Sequence, residues 1–185
     1  MPSHWFPKPY ADWVARFRVP SGFLLAITFA IFSRPDARSF AIGIPVSFSG
    51  LALRAWAAGH LLKDRRLAES GPYAFTRNPL YLGTLLVACG LVIDGRSVTL
   101  AVVFVIVFLF VYLPVIELEE QHLRDLFPAY DDYARRVPKL IGLPRGAPPV
   151  KYRFEVKTYL DNREYQALLG FCLGLAFLVA KWRLW

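Results

Sequence analysis

The chain has 185 residues, 56% of them hydrophobic and 16% aromatic, with a mean hydropathy of +0.38, which is too apolar for an ordinary soluble domain of this length. Its formal net charge of +8 comes from basic residues scattered through loops between apolar runs, so it forms no dense nucleic-acid-binding patch and suits orientation in a membrane instead. The two cysteines, Cys89 and Cys172, each lie inside an apolar run and have neither disulfide-framework nor metal-ligand spacing.

The first segment, residues 5–18, mixes Trp5, Phe6, Tyr10, Trp13 and Phe17 with Lys8, Arg16 and Arg18, the composition of a segment lying at the headgroup level. It lacks the central apolar stretch of a cleavable signal, so the apolar residues 19–33 read as a retained first span. After the turn Arg34-Pro35-Asp36-Ala37-Arg38, a second span is predicted over 40–62, with Pro45 as a kink site. Its small residues Gly43, Ser47, Ser49, Gly50 and Ala52 suit close helix packing. Arg54 inside it either faces a wet interior or snorkels to the interface.

A polar loop, 63–78, leads to a third span, 79–93, a tight turn at Asp94-Gly95-Arg96 and a fourth span, 97–116. The charged stretch 117–164 precedes a fifth span at 165–180, where Gly170, Gly174 and Ala176 permit tight packing within the chain or between copies, and an interfacial end through Trp185. With five spans, alternate sides collect 16 and 5 Lys/Arg, which puts the N-terminus and the loops 63–78 and 117–164 in the cytoplasm. In the segment from Gly142, Pro144, Pro148 and Pro149 indicate a loop, while Tyr152, Phe154, Val156 and Tyr159 fit either a strand or an interfacial helix.

Two stretches flank the hairpin of the third and fourth spans and are brought to one side by it. The first is Ser70-Gly71-Pro72-Tyr73-Ala74-Phe75-Thr76-Arg77-Asn78-Pro79-Leu80-Tyr81-Leu82-Gly83. Pro79 fits the first turn of a helix, which places Asn78 at its N-cap beside the positive end of the dipole, a position suited to a ligand carboxylate. The second is Glu117-Leu118-Glu119-Glu120, on a helix that the spacing of Glu119, Leu123 and Phe127 carries beyond the span. Carboxylates at that depth call for a cation or hydroxyl, Arg54 and Arg77 being the candidates. Downstream, Pro128 and Pro138 bracket a short helix with Tyr130 and Tyr133 on one face and Arg136 a turn further on. These features are also met by a nonenzymatic membrane scaffold or transporter subunit with a structural Arg/Glu network.

In order, GPY, RNP-x-Y-x-G, the hairpin, then EE with the downstream Phe127, Tyr130, Tyr133 and Arg136-Val137-Pro138 resemble the isoprenylcysteine carboxyl methyltransferases and the related phospholipid methyltransferases. The resemblance covers residues 65–138. It implies an all-α integral membrane methyltransferase of about five transmembrane helices with a cytoplasmic helical cap and no Rossmann domain, and no glycine-rich strand-to-helix turn occurs in the chain. The domain is expected to be single, 1–185, with a methyltransferase core at 65–138, a connector at 139–164 and a C-terminal transmembrane helix at 165–185.

By the same resemblance, S-adenosylmethionine is the cofactor, contacted by Arg65, Arg66, Leu67, Ala68, Tyr73, Asn78, Pro79, Leu80, Tyr81 and Glu119, with Tyr130, Tyr133 and Arg136 in the cap. Glu119, Glu120, Arg77 and Arg54 are the catalytic candidates, no metal is implied, and the partner is a lipophilic acceptor in the membrane, the inner membrane in a bacterium. Methyl transfer would proceed by direct displacement. A carboxylate or thiolate acceptor needs no base, whereas an amine must be neutral, with Glu120 or water taking a proton. Three positions depart from the protein-modifying relatives. Asn78 replaces a histidine, Pro128 replaces a glycine, and Val115 stands where an arginine engages the substrate carboxyl, so a prenylcysteine carboxylate is disfavoured.

Overall fold

The computed structural model describes residues 6–143 and 152–184; Trp5, Pro144, Pro148, Pro149 and Trp185, named above, lie outside these. The described residues form helices and connecting turns with no strand among them. The headgroup-level segment becomes α1 (Lys8–Ala15), followed by α2 (Arg18–Phe32) at an angle of 57°. Pro20 accounts for the break, because its ring excludes a helical carbonyl at Arg16 and its nitrogen has no proton to donate.

The centre of the molecule is the antiparallel pair α3 (Ala37–Ala58) and α4 (Pro79–Gly95). Asp36 and Ser39 form a reciprocal capping box at the start of α3, with the Ser39 amide donating to Asp36 Oδ1 over 2.7 Å. The helix runs without interruption through Pro45. Glycines set the spacing of the pair: a Cβ at Gly50 would stand 2.5 Å from the Gly83 carbonyl oxygen, and one at Gly90 would stand 2.4 Å from that of Gly43. Ser47 donates to the Val87 carbonyl over 3.2 Å across the same seam. Ser49 and Ala52, in contrast, face outward.

The expected turn at Asp94-Gly95-Arg96 is shorter than its three residues. Asp94 and Gly95 complete α4, and Arg96 alone takes the left-handed conformation, at φ 46°, that reverses the chain. From there α5 (Val98–Val107), a π-helical turn (Phe108–Tyr112) and α6 (Leu113–Leu126) make one helix, Val98–Leu126, that carries the fourth span beyond its apolar stretch. The π turn has a local cause. Pro114 cannot donate to the carbonyl four residues earlier, that of Phe110, and this carbonyl accepts from the Tyr10 hydroxyl on α1 at 3.0 Å instead.

Among the described residues, three helices are long and apolar enough to cross a membrane: Ala37–Ala58, Val98–Leu126 and Tyr165–Leu184, with the bent pair α1–α2 a fourth if it counts as one span. The expectation of about five spans counts the bent pair and the shorter apolar helix α4 with these. The third predicted span, α4, has 17 residues, because Asn78-Pro79 fixes its start and Arg96 its end. Seventeen residues at about 1.5 Å each fall a little short of a roughly 30 Å hydrocarbon layer. After α7 (Tyr130–Arg136), residues 152–155 take no regular structure, and α8 (Val156–Asp161) places Val156 and Tyr159, but not Tyr152 and Phe154, in a short helix. The last helix, α9 (Tyr165–Leu184), is little embraced by the rest: nothing comes within 4 Å of a Cβ placed at Gly170, and only Leu91 reaches one at Gly174, at 4.0 Å. Gly170 and Gly174 are thus not used for tight packing among the described residues.

Candidate functional site

The start of α4 fixes the first wall of the site. Pro79 sets the first turn and Asn78 occupies the N-cap position as predicted, yet its side chain does not cap the helix. The amide nitrogen turns away to donate to Glu120 Oε1 and to the Lys139 carbonyl, each at 3.0 Å. The first turn of α4 is thereby left without a side-chain cap, and Asn78, Pro79, Leu80 and Tyr81 face a cavity of about 830 Å³.

The opposite wall comes from α6, where the adjacent glutamates part company because successive helical residues point about 100° apart. Glu119 is exposed to the cavity and accepts the Tyr81 hydroxyl at Oε2 over 2.8 Å. Glu120 is buried behind it, 3.4 Å from both Arg77 Nε and Lys139 Nζ. This second carboxylate ties the start of α4, α6 and residue 139 together.

The cap closes one side. Tyr130 and Tyr133 on α7 and Val137 just after it pack with Leu67, Leu123 and Phe127, and the Tyr133 hydroxyl donates to the Tyr73 carbonyl over 2.8 Å. Tyr73 is buried in the 3-10 turn Gly71–Ala74 and lines the cavity. Burial, followed by the charges of Glu119 and Glu164, pushes its phenol well above the ordinary range, so it serves as a neutral hydroxyl. Arg66, Leu67 and Ala68 supply a further edge, Arg66 lying 3.3 Å from the Tyr152 ring centroid.

Arg54 points inward. It pairs with Glu164, donates to the Thr84 hydroxyl, and reaches the Leu80 carbonyl at 3.2 Å. Its partner is therefore neither Glu119 nor Glu120, the carboxylates that sequence reasoning offered it. Glu164 is delivered by the turn before α9, which is itself fastened to the end of α3: Asn162 donates to the Ala58 and Leu61 carbonyls, each at 2.9 Å.

Of the predicted site residues, the structure gathers Arg54, Arg66, Leu67, Ala68, Tyr73, Arg77, Asn78, Pro79, Leu80, Tyr81, Glu119 and Tyr133 around the cavity. Four others stand outside its lining. Arg65 points to solvent, Tyr130 is buried in the cap, Arg136 pairs with Glu69 at 3.2 Å, and Glu120 belongs to the buried network. Sequence reasoning missed Arg18, Thr84, Tyr112, His122, Asn162 and Glu164 as lining residues. Thr84 and His122 each lie three residues beyond a predicted one, on the same helical face, and were findable by that spacing. Asn162 and Glu164 had no local signal. Among the described residues, no three of His, Cys, Asp and Glu converge to hold a metal ion.

Residues 41–129 match a known family, described as phospholipid methyltransferase. The nickel-cobalt-cadmium resistance protein NccN of Alcaligenes xylosoxydans xylosoxydans is 38% identical over 87 residues, 46% of this chain and 41% of that protein. The cobalt-zinc-cadmium resistance protein CzcN of Cupriavidus metallidurans is 37% identical over 87 residues, 46% of this chain and 40% of that protein. The chain spans about two fifths of the length of these curated relatives. No solved structure matches it.

Proposed function

From the phospholipid methyltransferase domain at residues 41–129, we propose that this chain is an S-adenosylmethionine-dependent methyltransferase acting on a lipophilic acceptor at the cytoplasmic face of a membrane. The observation that carries the reading is Glu119. It stands in the cavity opposite an uncapped helix start, anchored by Tyr81 and free of the buried ion network.

The donor set suits the cofactor. The first turn of α4, with Arg77 beside it, receives a carboxylate; Glu119 receives an ammonium or ribose hydroxyls; Leu67, Ala68 and the edge of Tyr133 receive a flat base. When bound, the cofactor supplies a methyl group on a sulfonium, open to direct displacement. The chain's part is to align the acceptor and to keep water out, which α7 does by covering the 3-10 turn through Tyr133. An amine acceptor would lose its proton to a cavity carboxylate or to water. Glu120, already held by two cations, is a poor receiver.

A structural Arg/Glu network, the basis of the nonenzymatic alternative, does exist in Arg54–Glu164 and in Arg77–Glu120–Lys139. Glu119 belongs to neither, and a scaffold gives it no task. Metal resistance is a property in the names of NccN and CzcN. For this chain we place any such role downstream of methyl transfer to a membrane amphiphile.

Calorimetric titration of the detergent-purified chain with S-adenosylmethionine and with its demethylated product tests the reading. Saturable binding is expected in the wild type and its loss in Glu119→Ala, with thermal unfolding of the variant nearly unchanged. A folded wild-type protein that binds neither compound would overturn the proposal.

A further inference from the structure

We propose that Arg18 selects the acceptor, by binding an anionic group, phosphate or carboxylate, carried by an amphiphile that enters from the lipid. The inference rests on the methyltransferase reading for the word acceptor, and on the cavity alone for the anion.

The argument is one of charge accounting within the cavity. Arg54 pairs with Glu164, Arg77 shares Glu120 with Lys139 in the buried network, and Arg66 lies on the ring of Tyr152. Lys63 sits beside Asp64 in the loop that meets His122, ten residues along the helix from Tyr112, about 15 Å away by helical rise. Arg18 lines the cavity at the Tyr81 and Tyr112 end, and among the described residues no carboxylate lies within ion-pair reach of it. Its guanidinium stands 5.8 Å from the Tyr81 ring centroid, a contact that leaves its N–H groups free to donate.

Nothing about α2 asks for this cation. A positive side chain in the first turn of a helix works against the macrodipole, so Arg18 does not serve helix stability. Its neighbours show what it serves. Phe17 and Val19 are exposed on either side of it, and Val19, Phe23 and Ile27 continue as an exposed apolar strip along α2 at helical spacing, a track for an acyl or prenyl chain. Tyr81 joins the two ends of the site, with its ring beneath Arg18 and its hydroxyl on Glu119. An amphiphile held by its anion at Arg18 is one tyrosine from the proposed cofactor position.

The test uses the full chain in phosphatidylcholine nanodiscs, titrated with dodecyl phosphate, dodecanoate and dodecanol and read by intrinsic tryptophan fluorescence. The wild type is expected to bind both anionic amphiphiles saturably and at least tenfold more tightly than dodecanol, above the background of lipid phosphate. Arg18→Ala should lose that preference and Arg18→Lys should recover part of it, with S-adenosylmethionine affinity unaltered in both. Equal preference in Arg18→Ala, or none in the wild type, overturns the inference, as does competition by inorganic phosphate at the same concentration, which would mark a site for free anions. Absence of S-adenosylmethionine binding with the Arg18-dependent preference intact would remove the methyltransferase reading and leave the anion site standing.

Discussion

Glu119 and Glu120 are neighbours in sequence and opposites in environment, one in a cavity and one in a buried network. Removing Glu120 takes away the buried carboxylate that stands 3.4 Å from both Arg77 Nε and Lys139 Nζ, so Glu120→Ala should cost about 3 kcal/mol, read as a lowered thermal midpoint. Glu119→Ala should not. The paired motif made both residues visible in the sequence, but their separate tasks depend on which side of α6 meets α4, a tertiary fact. The tyrosines of the cap region give a pH prediction. Burial is the largest cause raising the phenols of Tyr73, Tyr130 and Tyr133, and nearby charged groups, Glu119 for Tyr73 and Glu120 for Tyr130, add to it. The folded state therefore keeps protons that the unfolded state releases above about pH 10, and stability should fall as pH rises beyond that value, in an alkaline titration followed by circular dichroism. The Tyr130 hydroxyl has no hydrogen-bond partner among the described residues, and Tyr130→Phe should shift the alkaline midpoint upward.

Helix pairing was legible where side-chain size dictates it and illegible where a distant partner does. The small residues of α3 announced a close seam, and Gly43, Ser47 and Gly50 form it. Adding one methyl at Gly90 would bring a carbon 2.1 Å from Ser47 Oγ and 2.4 Å from a backbone oxygen, so Gly90→Ala should destabilise by about 1–3 kcal/mol in thermal unfolding. The bend between α1 and α2 went unread, although Pro20 encodes it, because the aromatic and basic composition of residues 5–18 spoke only of depth in the membrane. The π turn went unread for a different reason: Pro114 signals a missing bond, but only the fold reveals that Tyr10 supplies the replacement donor. Tyr10→Phe leaves that carbonyl without its partner and should loosen α1, seen as faster amide exchange over Lys8–Ala15.

At the scale of the molecule, the fold class and its membrane setting were legible from composition and pattern, whereas the length of each helix was not. Hydropathy counts α4 as a span, but its length is fixed by Pro79 and Arg96, two backbone signals that a hydropathy window averages away. Orientation is a proposal that rests on 16 Lys/Arg on one set of segments against 5 on the other. With the native cysteines replaced, Arg38→Cys should react with an impermeant maleimide in intact cells and Lys63→Cys only after lysis; the reverse pattern would put the site outside.

The link between Arg54 and Glu164 joins residues 110 positions apart. At a synthesis rate of about 5–20 residues per second, Arg54 enters the bilayer roughly 5–20 s before Glu164 leaves the ribosome. Throughout that interval the wall formed by Asn162 and Glu164 is absent. Until Glu164 emerges the cavity lacks this wall and Arg54 lacks its carboxylate, so a chain ended before residue 162 should unfold at a lower thermal midpoint than the full chain.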